Sequence, residues 1–152
     1  MFCDAYILRR IFIKSKLLIF FLFLSLIVSK TGLGTEIIVH PSVVETHLST
    51  IQLRRIYTMR QVRWLDNSPI VVFVLSSKNQ LHQKFSKEIL QMFPYQLDRI
   101  WHKLTFSGLG VAPIKVDSQE ELIKLVKQTP GAIGYADRID NEEGLHVIKI
   151  RK

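Results

Sequence analysis

Residues 70–75 (IVVFVL) are all apolar, and no polar residue interrupts them. A strand with one solvated face alternates apolar with polar side chains, so this run predicts a strand that is covered on both faces. Such a strand lies inside a sheet that has helices on both sides. From Ser77 onward the apolar residues instead recur on one face of a helix, which Pro94 ends.

Short apolar segments and amphipathic helices alternate along the rest of the chain. The other segments predicted to be strands are residues 36–40, 114–116, 132–136 and 145–150. Capping-box patterns, Ser49 with Gln52 and Ser118 with Glu121, predict the starts of a first and a fourth helix, and a third follows Pro94. This order predicts an α/β three-layer sandwich with a mostly parallel or mixed sheet.

The first residues of the chain predict export. The cations that precede an apolar run at residues 17–28 are Arg9, Arg10, Lys14 and Lys16. This is the pattern of a cleaved signal peptide, residues 1–34, and we place the cleavage after Gly34. The alternative is an uncleaved inner-membrane anchor, but the run is well short of the roughly 20 residues of a spanning helix. The expected product is a single periplasmic domain, residues 35–152.

Loss of the signal peptide changes the charge and the thiol content. The formal net charge falls from +8 to +4, because five cations and one carboxylate, Asp4, leave with it. The only cysteine, Cys3, also leaves, so the mature domain depends on its core instead of disulfides. The positive balance favours anionic partners weakly, and an exported chain is not expected to meet nucleic acid.

The junction between the buried strand and the second helix is the candidate binding site. A helix N-terminus leaves backbone N–H groups unpaired and carries partial positive charge, so it can hold a small oxyanion. Here Ser76 and Ser77 add hydroxyl groups, Lys78 a charge and Asn79 an amide. A polar residue at a helix start most often caps its own helix, so local chemistry alone favours capping over anion binding.

Catalytic motifs do not emerge from the sequence. No histidine pair has the spacing of a zinc protease, no serine lies in a glycine-flanked elbow, and the GLG at residues 108–110 is too short for a dinucleotide fingerprint. The histidines are interpreted as scattered surface residues. We therefore expect no enzyme activity, no cofactor and no metal.

Four segments occur in order between residues 48 and 137: LSTIQLRRIYTMRQVRW, SPIVVFVLSSKNQLHQKF, DRIWHKLTFSG and TPGAIGYAD. They resemble segments of the phosphate-type periplasmic substrate-binding proteins, which have the type II periplasmic binding fold. The resemblance implies one lobe of that fold, in an exported solute-binding-like domain related to the substrate-binding proteins of phosphate ABC transporters. The implied ligand is a small oxyanion such as phosphate, contacted by residues 76–79 and by Ser42 from the loop after the first strand.

The departures from the family pattern weaken the expected site. Family members with a full site are bilobed and much longer, and they enclose the anion between the lobes. Their strand commonly ends with arginine before Ser-Gly-Thr, whereas this chain has Leu75 near the first position and Lys78 within the second. Lysine supplies the charge but not the bidentate fork of arginine, so the resemblance implies weak binding.

Two alternative functions stay open. The first is a non-catalytic periplasmic interaction domain that has lost ligand binding. It would dock on an envelope or transporter protein through its basic first-helix region or an exposed aromatic such as Tyr57. The second is a small exported enzyme. Membrane contact is expected only through the signal segment, if that segment stays uncleaved.

Overall fold

A computed structural model describes residues 34–108, 110–139 and 143–151. These residues belong to one compact unit, Leu33–Lys152. The predicted signal peptide lies outside the described residues, apart from Gly34. The elements in chain order are β1 (Thr35–Val39), β2 (His47–Ser49), α1 (Thr50–Tyr57), β3 (Val71–Leu75), α2 (Gln80–Lys84), a π-helical segment (Phe85–Ile89), α3 (Pro94–Ser107), β4 (Ile114–Val116), α4 (Gln119–Gln128), β5 (Ala132–Asp137) and β6 (His146–Arg151).

The six strands form one mixed sheet in the order β2-β6-β1-β5-β3-β4. β3 runs parallel to both of its neighbours, with Val72 opposite Ile133 of β5 and Val74 opposite Lys115 of β4. β1 is antiparallel to β5 and to β6. The apolar run therefore lies inside the sheet, as its lack of alternation predicts.

Neighbouring residues of β5 point to opposite faces of the sheet. Gly134 faces α4, because a Cβ atom at this position would lie 2.5 Å from Leu122 Cδ2 and 3.1 Å from Val126 Cγ2. Tyr135 faces the other layer, where its ring stacks on Phe85 with 4.0 Å between the centroids. Helices therefore cover both faces of the sheet, which confirms the predicted three-layer α/β sandwich.

The start of α1 follows its sequence pattern. The Ser49 side chain accepts a hydrogen bond from the Gln52 amide at 3.2 Å, and the Gln52 side chain accepts one from the Ser49 amide at 2.9 Å. The helix ends at Tyr57, because Met59 follows with a positive φ of 58° and turns the chain away.

Tyr57 belongs to the core, so the prediction that it offers an exposed aromatic for docking is wrong. Its ring is fully buried and meets Phe85 edge-on, with 4.7 Å between the centroids. Its carbonyl oxygen accepts a hydrogen bond from Trp101 Nε1 at 2.8 Å. The reason is its place in the apolar stripe of α1, beside Leu53 and Ile56, which the fold buries.

Within residues 34–108, 110–139 and 143–151, no helix is both long and apolar enough to cross a bilayer.

Candidate functional site

Three strands end at one edge of the sheet. β3 is parallel to β4 and β5, so Leu75, Val116 and Asp137 end their strands side by side. α2 and α4 begin a few residues after β3 and β4, and their N-termini face the same edge. In α/β sheets, ligands bind at the carboxyl ends of the strands. We refer to this place as the carboxyl edge.

A cleft of about 650 Å³ opens at the carboxyl edge. Its lining combines one cation with several carboxylates, and the residues are Leu75, Asn79, Gln80, Leu81, Lys84, Asp117, Ser118, Gln119, Glu120 and Asp137. Lys84 Nζ lies 3.4 Å from Asp137 Oδ1, so that charge pair is partly neutralised within the cleft. Asp117 and Glu120 remain as exposed carboxylates. The local potential therefore opposes a bound anion.

The first amide groups of α2 bond to the protein itself. Asn79 is the N-cap, and its Oδ1 accepts hydrogen bonds from the amides of Leu81 at 2.8 Å and His82 at 3.4 Å. The Ser76 hydroxyl accepts a bond from the Lys78 amide at 3.4 Å. The helix starts after Asn79, later than the helical period predicted from Ser77 onward. These hydrogen bonds are those expected when the polar side chains cap their own helix.

The predicted site residues lie in two separate places. Asn79 lines the cleft. The other three residues of this group, Ser76, Ser77 and Lys78, lie on the loop before α2 and do not line it. Ser42 is at the opposite edge, where its hydroxyl accepts a hydrogen bond from the Gly131 amide at 3.0 Å just before β5. A six-residue strand spans roughly 17–20 Å. The prediction that Ser42 joins residues 76–79 is therefore wrong, because β1 runs antiparallel to β5 and carries its loop to the other edge.

The start of α4 is tied to the end of β5 by a side chain that sequence analysis missed. Gln119 Oε1 accepts a hydrogen bond from the Asp137 amide at 2.9 Å, and Gln119 Nε2 donates one to the Asp137 carbonyl at 3.2 Å. Ser118 caps the helix by accepting from the Glu121 amide at 3.1 Å. The backbone amide of Glu120 and, to a smaller extent, the hydroxyl of Ser118 lower the pKa of the Glu120 carboxyl, so this carboxylate stays charged.

Lys84 and Asp137 were also missed. Neither has a local motif, and the strand-end rule alone could have pointed to Asp137.

A buried hydrogen-bond chain supports the carboxyl edge from behind. The Leu75 amide donates to the Tyr135 hydroxyl at 2.9 Å, and that oxygen lies 2.6 Å from His82 Nδ1. This chain joins the end of β3 to the first turn of α2.

His82 is fully buried, so its interpretation as a surface residue is wrong. It lies on the face of α2 that packs against Tyr135 and Trp101. Burial lowers the pKa of His82 to about 4, although the carboxylate of Asp98 opposes the shift. The imidazole is therefore neutral near pH 7.

Metal ligands do not converge in the part of the chain that the structure describes. There, no group of three or more histidine, cysteine, aspartate or glutamate side chains is placed to hold a metal ion.

No protein-family model matches the sequence, and no curated protein matches it. Solved structures do share the fold. A Clostridium perfringens protein described as a phosphate ABC transporter substrate-binding protein, solved with bound phosphate, superposes with a TM-score of 0.63 at 21% identity, over 77% of this chain and 44% of that chain.

Two further structures agree. An ABC-type phosphate transport receptor from Vibrio cholerae has a TM-score of 0.57 at 18% identity, over 77% of this chain and 46% of that one. PstS from Borrelia burgdorferi has a TM-score of 0.58 at 16% identity, over 76% and 46%. The chain thus has a fold seen in phosphate substrate-binding proteins and spans less than half the length of these relatives.

Proposed function

We propose that this chain is a non-catalytic, solute-binding-type module, related to phosphate ABC transporter substrate-binding proteins, whose carboxyl edge binds phosphate or a related oxyanion weakly. The observation that carries the proposal is the cleft at the carboxyl edge, in a fold shared with a protein solved with bound phosphate. The proposal includes export through the signal peptide and a periplasmic location.

Three features of the site explain why binding is expected to be weak. Asn79 occupies the Leu81 and His82 amides, which removes two donors that an anion would use. Lys78 offers a single exposed point charge, and exposed charges interact by only about 1 kcal/mol at 4 Å in water. The carboxylates of the cleft repel an anion over a similar range. Affinity is therefore expected in the millimolar range.

The test is a calorimetric titration of purified residues 35–152 with phosphate, sulfate and nucleotides. Lys78→Ala is expected to weaken the binding of oxyanions severalfold while the circular dichroism spectrum stays unchanged. Lys124→Ala is the matched control, because Lys124 is an exposed lysine in the middle of α4 and not in the loop before α2. Absence of heat and of any thermal shift up to millimolar phosphate would rule out a solute receptor.

A second candidate is an interaction domain that has lost ligand binding and docks on an envelope or transporter protein. The capping of α2 by Asn79 favours it, since the helix start is satisfied without a ligand. The basic first-helix region is less available than its sequence indicates, because Arg54 Nε donates to the Leu90 carbonyl at 2.9 Å. This candidate predicts no heat with phosphate and no effect of Lys78→Ala.

A further inference from the structure

The exposed aromatic side chains of the described residues are concentrated on one helix. Phe93, the N-cap of α3, is 53% exposed, Tyr95 is 62% exposed and Phe106 is 86% exposed. All other aromatic rings in the described part of the chain are buried. Aromatic side chains of this size are costly to leave in water, so their grouping on α3 indicates a surface that becomes covered.

Two of these rings, Tyr95 and Phe106, share one face of α3 with cations. Tyr95, Arg99, His102 and Phe106 are spaced at i, i+4, i+7 and i+11, with Lys103 beside them, and all five are exposed. We call these five residues the aromatic–cationic face. It is roughly 16 Å long from Tyr95 to Phe106, at 1.5 Å per residue. The opposite face of the helix is anchored in the core.

The charge of this face has one sign. No exposed residue of α3 is acidic. The single carboxylate of the helix, Asp98, is half-buried at the border of this face, and its charge is paired with Lys115 Nζ of β4 at 3.3 Å. The domain as a whole is also positive, at +4 for residues 35–152. An anionic partner is therefore complementary to the face.

We propose that the aromatic–cationic face docks on the surface of an anionic phospholipid bilayer. The face is a convex helix surface, which a planar bilayer can cover, whereas a protein partner would need a matching groove. Phenylalanine and tyrosine enter the boundary between headgroups and acyl chains, and Arg99 and Lys103 reach the lipid phosphates from the flank. The proposal uses none of the residues that line the carboxyl-edge cleft, so it does not depend on oxyanion binding there.

The contribution of each side chain to membrane binding sets the loss of vesicle affinity expected when it is replaced. A lysine or arginine near an anionic membrane contributes about 1 kcal/mol, which corresponds to about fivefold in affinity. Arg99→Gln is therefore expected to weaken vesicle binding about fivefold, and Phe106→Ser about tenfold through lost burial of the ring. Binding is expected to weaken further as salt is raised.

The experiment is co-sedimentation of residues 35–152 with phosphatidylcholine vesicles that contain phosphatidylglycerol, and with phosphatidylcholine alone. Leu65→Ser is the matched control for Phe106→Ser, because Leu65 is 82% exposed and lies off α3. Arg60→Gln is the matched control for Arg99→Gln, since both arginines are exposed. Circular dichroism verifies that each variant is folded.

Binding to the anionic vesicles that the two α3 variants weaken, and that the two controls leave within twofold, supports the proposal. Failure to bind anionic vesicles overturns it. Equal losses in the controls also overturn it, because they would mark general basicity as the cause. A parallel titration uses soluble polyglutamate. If polyglutamate binds through Arg99 and Phe106 while the vesicles do not bind, the face serves an acidic protein and the bilayer proposal is wrong.

Discussion

Two buried tyrosines provide a test in which one chemical change has opposite effects. Tyr57 and Tyr135 are both fully buried, and their ring centroids are 6.1 Å apart. The Tyr135 hydroxyl bonds to the Leu75 amide and to His82 Nδ1, as described above. The Tyr57 hydroxyl has no hydrogen-bond partner among the described residues. Replacement by phenylalanine removes only the oxygen in each case.

The hydrogen bonds set the expected magnitudes. In Tyr135→Phe the Leu75 amide and the His82 imidazole are left unpaired in the core. Each unpaired buried group costs about 1–3 kcal/mol, so the free energy of unfolding is expected to fall by about 2–6 kcal/mol. In Tyr57→Phe a buried hydroxyl without a partner is removed, and the free energy of unfolding is expected to rise by about 1 kcal/mol.

Urea unfolding of residues 35–152, followed by circular dichroism, measures both variants against the parent. The slope of the unfolding free energy against urea is expected to stay the same, because the surface exposed on unfolding barely changes. If both variants shift stability in the same direction, or if Tyr135→Phe is neutral, then the hydrogen-bond chain behind the carboxyl edge has been assigned incorrectly.

Further predictions concern a glycine and a histidine. Gly131→Ala is expected to destabilise by about 2–5 kcal/mol, because the positive φ costs about 1–2 kcal/mol and a Cβ atom 2.3 Å from the Pro69 carbonyl oxygen adds about 1–3 kcal/mol. Gly108 has a similar φ, but no atom lies within 4 Å of a Cβ atom added there, so Gly108→Ala is expected to cost only the roughly 1–2 kcal/mol of the positive φ. Equal losses of stability in the two variants would refute the clash with Pro69. Because the pKa of His82 is lowered from 6.5 to about 4, unfolding takes up a proton in acid. Stability is therefore expected to fall by about 3 kcal/mol as the pH drops from about 6.5 to about 4. The His82→Met variant should lack this component in urea titrations across that range, and an unchanged pH profile would contradict it.

The elements with strong local patterns were predictable from sequence. The apolar run became β3, and the capping residues Ser49 and Ser118 begin their helices, because these signals act through neighbours in the chain. β2 was not predicted. It has only three residues, which are too few to show a period, and it forms by parallel pairing with β6.

The TPGAIGYAD segment shows how a sequence motif can report packing. Gly131 has a φ of 74° and accepts a hydrogen bond from Trp64 Nε1 at 2.9 Å through its carbonyl. Gly134 leaves room for α4, and Tyr135 supports the end of β3. The motif therefore stabilises the lobe, and none of these three residues lines the cleft.

The candidate site was harder to predict because its members meet only in the folded chain. Local reasoning grouped residues 76–79, which are adjacent in sequence. It could not show that Asn79 would use its side chain to cap α2, nor that Ser42 would lie at the far edge. Lys84 and Asp137 come together across 53 residues of sequence, and no local signal joins them.

Residue-resolved phosphate binding decides whether the carboxyl edge holds an oxyanion. We would record the backbone ¹H–¹⁵N NMR shifts of residues 35–152 while chloride is exchanged for phosphate at constant pH and ionic strength. If the carboxyl edge binds phosphate, residues 76–80 and 117–120 are expected to show shifts that saturate in the millimolar range, with none at Ser42 or Gly131. In Lys78→Ala the same shifts are expected to need severalfold more phosphate. Unchanged spectra, or shifts centred on the edge that contains Ser42 and Gly131, would contradict the proposal.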